Sequence, residues 1–444
     1  HIGVLKTIDS LGVKIDYVAG TSMGAIIGGL YASGYSGKQI DSIFKSVDFD
    51  ELINDNLPRY AKTFYERDNS EKYAIMLPFD NFKVQIPSAI SRGQNVFNLF
   101  SKLLLHVSDI EDFENLPIPF FCIATNIETG EPVILDSGSL PQAMAASGAL
   151  PSVFQPVIIN NQILIDGGVV NNYPIDELKV KGMNIIIGID VQDALAERTE
   201  LNSAPDILLQ ISNFRTINAM KDKVKSTDVY IKPDIKDFNV VSFQYGKQII
   251  ENGRIAAIEK QDELKAIVRN QSKNEREKLK ITLVDSIKIK DITINGNKKY
   301  TRSYVLGKLK IMPNETISYD HFNKGINNIV ATHNFDSFLY DFGPNKEGYD
   351  LTVNVKESAN KTFLKFGVHY DDLYKSAALI NLTQKQILFK NDLASFDMVL
   401  GDNVRYNFEY FIDKGFYWSI GIKSRYNTFH KNVNASLLLD NGQF

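Results

Sequence analysis

The chain has 444 residues, enough for roughly two to four domains with a real core, and 44% of them are hydrophobic, which argues against wholesale disorder. Its 49 Lys and Arg against 53 Asp and Glu leave a formal net charge of −4, which argues against a phosphate-backbone binder built on a basic face or tail. Cys122 is the single cysteine, which rules out an intrachain disulfide and any multi-cysteine metal site.

No apolar run reaches about 18 residues, so no membrane-spanning helix is expected, whereas the alternating strands of a spanning β-barrel would escape that test. The chain opens on His1-Ile2-Gly3-Val4-Leu5-Lys6, which reads as a helix already under way, so targeting is not legible at this end. Ile15-Asp16-Tyr17-Val18-Ala19 is a short strand, and Met23 to Ser33 is a helix of small residues. Strands follow at Pro119 to Ala124 and Pro132 to Leu135, with Gly130 turning between them. Leu140 to Gly148 is helical, Ile163 to Ile165 is a strand, and Asn184 to Val191 is an almost continuous apolar strand. Unbroken apolar strands with helical crossovers predict an α/β domain with a mainly parallel sheet covered on both faces. Residues 203–268 read as helical apart from Val229-Tyr230-Ile231, and the charged run from Asn270 to Lys280 reads as a helix end entering a linker.

Residues 286–357 change rhythm. A strand from Ile287 to Ile294, helices at Thr301 to Leu309 and Tyr319 to Thr332, and a hairpin of Ser337 to Phe342 with Tyr349 to Val355 give β-α-α-β-β. After Ser358 strict alternation takes over. Leu364, Phe366, Val368 and Tyr370 share one face, and Lys365, Gly367 and His369 share the other. The pattern returns in Ala378 to Leu382, Ala394 to Leu400, Tyr406 to Ile412, Phe416 to Ile422 and Val433 to Leu439. Six such strands predict part of an antiparallel transmembrane β-barrel, and barrels need about eight, so a truncated one is expected. The competing reading is a soluble antiparallel sheet with one wet face.

The chemistry concentrates in two places. Gly20-Thr21-Ser22-Met23-Gly24 lies between a predicted strand and a predicted helix, the setting of a nucleophile elbow that projects the Ser22 hydroxyl. The N–H of Met23, at the positive end of the helix, is placed to meet an oxyanion. Serine needs a base. Of the six histidines only His1 and His106 fall in this half, and neither sits in a recognisable catalytic loop. A carboxylate partner is therefore expected. Asp166, which precedes Gly167 and Gly168 at the end of an apolar strand, is the first candidate; Asp190 competes with it. A third arrangement, a Ser-acid-His triad, needs a histidine after Asp166, and none occurs before His321.

Gly20-Thr21-Ser22-Met23-Gly24, Ser147-Gly148-Ala149-Leu150-Pro151 and Asp166-Gly167-Gly168-Val169-Val170-Asn171-Asn172-Tyr173-Pro174 together resemble the patatin-like phospholipase family, over about residues 1–265. The resemblance implies a three-layer α/β sandwich. It also implies a lipid acyl hydrolase with Ser22 as nucleophile, Asp166 as base, and no metal or organic cofactor. Gly20, Thr21, Met23, Gly24, Gly167 and Gly168 are its motif and oxyanion support. In that family a glycine-rich loop just before the helix of His1 to Leu5 supplies oxyanion amides, and this chain begins after it. Residues 286–357 resemble a POTRA domain, and the strands beyond resemble an outer-membrane surface-antigen barrel; the order is similar to type Vd secretion proteins. The resulting organisation is a hydrolase domain at 1–268, a linker at 269–285, a POTRA-like domain at 286–357 and a partial barrel at 361–444. The implied partners are a phospholipid or other acyl-ester lipid and the outer membrane, with the hydrolase surface-exposed or secreted. A homo-oligomer is compatible with this; nucleic acid is not expected. The alternative is an outer-membrane transport or assembly protein with a catalytically silent passenger. The apolar stretch Val96 to Leu105 reads as a core helix or as the lining of an acyl groove.

Overall fold

Local signals in the sequence set where the first elements begin and end. Gly12 adopts the left-handed conformation (φ 75°) that terminates α1 (Ile2–Leu11). Next come β1 (Val18–Thr21) and α2 (Met23–Ala32), and then α3 (Gly37–Ser46), which opens on a reciprocal capping box of Ser36 and Gln39. A computed structural model of the chain describes residues 1–428 apart from 56, 63–65, 68–70, 81, 86–88, 193, 194, 196, 199, 200, 202, 203, 239–241, 272–280, 282–284, 373, 374 and 416. The order continues α4 (Phe49–Ile53), β2 (Ile75–Asp80), β3 (Lys83–Val84), α5 (Gln94–Leu103), β4 (Phe120–Asn126), β5 (Pro132–Leu135), α6 (Leu140–Ser147), β6 (Val157–Ile159) and β7 (Gln162–Asp166). It then runs α7 (Ile175–Val180), β8 (Ile187–Ile189), α8 (Ala204–Lys225), β9 (Val229–Ile231), α9 (Gly246–Glu259) and α10 (Gln261–Asn270). The expected strand over Asn184 to Val191 is thus confined to its middle. Most of the expected linker, residues 272–280, lies outside the described residues.

Two units form. The first comprises residues 1–56, 88–285 and 341–351; the second comprises 57–87, 286–340 and 352–444. The first unit is α/β. Its main sheet runs β1-β4-β7-β6, with β5 paired to β4, and β8 and β9 form a separate pair. β1 with β4 and β8 with β9 are parallel, each reached through a helical crossover. The hairpins β4–β5 and β6–β7 are antiparallel, as is β4 with β7. The β6–β7 hairpin turns on Asn160 and Asn161, both at positive φ, a two-residue turn that asparagine tolerates. β4 is buried along its whole length, between Phe113, Leu30, Met144 and Leu164. In α5, Phe97, Phe100 and Leu103 are buried, so the stretch from Val96 belongs to the core.

The excursion of residues 57–87 leaves and re-enters the first unit at one point. The Asp55 carboxylate there accepts hydrogen bonds from Ser91 Oγ (2.8 Å) and from the N–H groups of Gly93 (2.8 Å) and Asn95 (2.9 Å).

The second unit starts with β10 (Ser286–Asn295), α11 (Arg302–Leu309), β11 (Glu315–Ser318), α12 (Tyr319–Val330) and most of β12 (Phe335–Asn345) and β13 (Gly348–Glu357), whose hairpin end, residues 341–351, is counted with the first unit; the sheet is ordered β11-β10-β13-β12. The expected β-α-α-β-β is corrected here to β-α-β-α-β-β. The added strand β11 has four residues and only Ile317 buried, too short for an alternation to register.

Five longer strands follow: β14 (Thr362–Asp371), β15 (Lys375–Lys385), β16 (Asp392–Gly401), β17 (Arg405–Ile412) and β18 (Ile420–Asn427). The strand expected from Phe416 is described from Ile420, which pairs with Ile412; Phe416 and the sixth strand, Val433 to Leu439, lie outside the described residues. The sheet is open among the described residues, in the order β18-β17-β16-β15-β14-β2-β3. In β2 of the excursion, Leu77 pairs with Leu364 and Ile75 with Phe366. The register stacks like on like. Phe366, Ile380, Met398, Tyr406 and Tyr426 form one row, and Lys365, Asn381, Asp397, Asn407 and Arg425 form the next. Burial is inverted relative to a soluble sheet: Asn381 is 0% exposed and Asp397 6%, whereas Leu382 is 44% and Tyr406 40%.

Leu30, fully buried on α2, gives a test of the first core. Leu30→Ala should cost about 2–5 kcal/mol. In urea titrations the helical circular dichroism should then melt at lower denaturant, while the fluorescence of Trp418, the lone tryptophan and in the second unit, keeps its own midpoint.

Candidate active site

Strand β1 delivers the chain to Thr21, and α2 leaves it at Met23. Between them Ser22 is at φ 55°, ψ −122°, a backbone state that costs a non-glycine residue on the order of 1–3 kcal/mol. Gly20 makes the reversal possible: a Cβ there would lie 2.3 Å from the Gly24 carbonyl oxygen, so the first turn of α2 folds back directly over it. Gly24 is not forced in the same way, since a Cβ there would meet only the His1 ring at an ordinary 3.5 Å. Met23, in the first turn of α2, has no intrahelical acceptor for its N–H.

Strand β7 brings Asp166 to the same place. The Ser22 hydroxyl donates to Asp166 Oδ2 at 2.5 Å, and the Gly168 N–H donates to Asp166 Oδ1 at 2.7 Å. Both carboxylate oxygens are engaged, neither by a histidine. Gly167 packs so closely on β4 that a Cβ would sit 2.2 Å from the Ile123 carbonyl oxygen. Asp166 is only 3% exposed, and burial pushes its carboxyl up to about 6, against the weaker opposing pull of the Ser22 and Gly168 hydrogen bonds.

Further contacts lock the two loops together. Thr21 Oγ1 donates to the Asn171 carbonyl (2.9 Å), and Thr125 Oγ1 donates to that of Asp166 (3.0 Å). Lys223 on α8 donates to Asn171 Oδ1 and to the Tyr173 carbonyl, both at 2.7 Å. Ser147, at the end of α6, accepts the Ser22 N–H at 3.0 Å. Neither Ser147 nor Lys223 was singled out for a role from sequence. Ser147 opens the Ser147-Gly148-Ala149-Leu150-Pro151 motif, but nothing local marks which atom it reaches.

The competing residues are engaged elsewhere. Asp190 accepts from Tyr230 OH (2.5 Å) and Lys232 Nζ (3.0 Å). His106 Nε2 lies 2.9 Å from the Ser33 carbonyl, with its ring edge-on to Tyr35. Among the described residues no group of three or more His, Cys, Asp or Glu side chains could hold a metal ion.

The raised Asp166 carboxyl has a consequence for stability. Its folded value of about 6 exceeds the ordinary 3.8, so its stabilising contribution is full below about 3.8 and is lost as pH rises through about 6. Asp166→Asn removes that cost. The variant should melt at a higher temperature than the parent at pH 7.5, with the difference vanishing near pH 4; an equal or lower melting temperature at pH 7.5 would contradict the assignment.

Residues 1–179 match the patatin-like phospholipase model, residues 287–358 the surface antigen variable number repeat (POTRA) model, and residues 349–444 the OMP85 superfamily model. The chain is similar to Lysophospholipase NTE1 of Debaryomyces hansenii, 27% identical over 279 residues, covering 57% of this chain and 16% of that protein. It is also similar to Lysophospholipase NTE1 of Meyerozyma guilliermondii, 26% identical over 285 residues, covering 58% and 18%. The chain thus spans less than a fifth of the length of these relatives. The solved structure of BamA from Haemophilus ducreyi lacking POTRA domains 1–3 overlaps at a TM-score of 0.23 with 15% identity, covering 32% of this chain and 25% of that one, below the likeness of a shared fold. The chain therefore matches, in sequence order, the models of a patatin-like phospholipase domain, a POTRA domain and the OMP85 superfamily.

Proposed function

We propose that the protein hydrolyses acyl esters of phospholipids through a Ser22–Asp166 dyad in a domain spanning about residues 1–268, joined through a POTRA domain to an outer-membrane sheet. The observation that carries this reading is the 2.5 Å hydrogen bond from a hydroxyl on a strained elbow to a nearly buried carboxylate. A general base works best when its pKa lies near the working pH, and burial has moved Asp166 in that direction. Ser22 Oγ attacks the ester carbonyl carbon as its proton passes to Asp166 Oδ2. The tetrahedral oxyanion is met by the Met23 N–H at the positive end of α2. Collapse breaks the ester bond, and Asp166 returns the proton to the leaving alcohol. Water, deprotonated by Asp166, then attacks the acyl-enzyme and releases the fatty acid with Ser22 restored. No step calls on a metal or an organic cofactor.

Ser22→Ala should abolish ester hydrolysis and fluorophosphonate labelling in the full chain. Turnover that survives the substitution contradicts the dyad. An unmodified chain that neither labels nor hydrolyses favours the alternative of a silent passenger on a transport or assembly protein. Because the base must be ionised, kcat/KM should rise with pH and level off above about 6.

The inverted sheet of the second unit supports a membrane address for this chemistry. Rows of Leu, Ile, Phe, Met and Tyr point outward while Lys, Asn and Asp are enclosed, the arrangement of a lipid-facing wall. Met398→Arg should lower the unfolding free energy of the sheet in lipid vesicles by about 2–4 kcal/mol if the residue sits near the bilayer midplane, and with it the urea midpoint. Met398→Leu should leave that midpoint unchanged, and equal behaviour of the two variants would point to a water-facing sheet.

A further inference from the structure

The mechanism asks more of Ser22 than a hydroxyl at the right distance. Its backbone is in an unfavourable state, φ 55° and ψ −122°, and an unopposed elbow would relax. The groups that oppose relaxation are those that hold its peptide. Ser22 has one backbone donor, and that donor is bound by a side chain: its N–H reaches Ser147 Oγ at 3.0 Å.

Ser147 is completely buried and ends α6. Its hydroxyl also lies 2.6 Å from the Ile123 carbonyl oxygen in β4. A backbone N–H can only donate and a carbonyl can only accept. The Ser147 proton therefore points to Ile123, and a lone pair faces Ser22. Ile123 pairs with Thr21 across β1 and β4, and its carbonyl is the atom against which Gly167 packs. One enclosed hydroxyl thus ties the elbow to the strand peptide on which the Asp166 loop rests.

We propose that Ser147 is a positioning residue for the reaction: by accepting the Ser22 N–H it holds the nucleophile's backbone in the strained positive-φ state that aims Oγ at Asp166. The proposal rests on the acyl-hydrolase reading above and adds to it the group that keeps the elbow cocked. Ser147 touches neither substrate nor reacting atoms. Its loss should slow the chemical step and leave substrate binding in place.

The experiment compares the full wild-type chain with Ser22→Ala, Ser147→Ala and Ser147→Thr on a phospholipid ester in mixed micelles. Competent sites are counted by fluorophosphonate titration, so that kcat is expressed per correctly folded site. Ser147→Ala should lower kcat about 10–100-fold, the scale set by a small misplacement of a reacting group. KM should stay within about twofold, since no substrate contact is removed, and phosphonylation of Ser22 should slow in parallel. The midpoint of the pH profile should not move, because Asp166 keeps both of its partners. Ser147→Thr retains the hydroxyl and should recover most of kcat. An active wild type whose Ser147→Ala variant has equal kcat per site overturns this proposal alone. So does a variant whose KM rises as much as kcat falls, or whose pH midpoint shifts, which would place the effect on Asp166. A wild type that neither hydrolyses nor labels removes the hydrolase reading and the proposal with it.

Discussion

The first unit is organised around one costly contact, an ionisable carboxylate held out of water against a hydroxyl on a strained peptide. Burying a carboxylate opposes its charge, and holding serine at positive φ opposes the elbow. Both penalties are met by the rigid strand on which both residues are hung. β4 is enclosed along its length and pairs with β5 along one edge; along the other it pairs first with β1 and then with β7, and so brings together the residues those two strands deliver. Gly20 and Gly167 are the places where the backbones come too close for any side chain. The site is therefore a product of sheet geometry, with loops adding only the final turn.

The second unit is governed by the opposite rule of burial. Hydrogen-bonded polar side chains such as Asn381, Thr383, Ser395 and Asp397 fill the enclosed face, and the apolar rows look outward. Such a wall is stable where its surroundings are as apolar as it is, and in water it would present a large sticky surface. The chain thus joins a conventional water-facing core to an inverted one.

What could be read from sequence was what is local or periodic. The strand-turn-helix around Ser22 and the Asp-Gly-Gly that ends β7 are contiguous, and their glycines mark the tight backbone. The alternation after Ser358 is periodic, and the register of β14 through β18 keeps its rows intact. What escaped was short or distant. β11 has four residues. The roles of Ser147 and Lys223 depend on partners far along the chain, and a serine or lysine carries no local mark of such a partner. The affiliation of residues 57–87 with the second unit was hidden for the same reason, since β2 pairs with a strand that lies in the last quarter of the chain.

That pairing has a consequence for the order of assembly. Ribosomes deliver residues 75–80 long before Thr362–Asp371 exist, so the pairing of β2 with β14 cannot form until most of the chain has been made. Within the first unit the Asp55 carboxylate, by accepting the Gly93 and Asn95 N–H groups, ties together the two stretches of chain that flank the excursion. Completion of the sheet is then a late event with large chain separation, the kind that proceeds slowly and exposes unsatisfied strand edges in the interval. A nascent chain of this design would benefit from a holding factor that shields Ile75, Leu77 and Phe79 until their neighbours emerge.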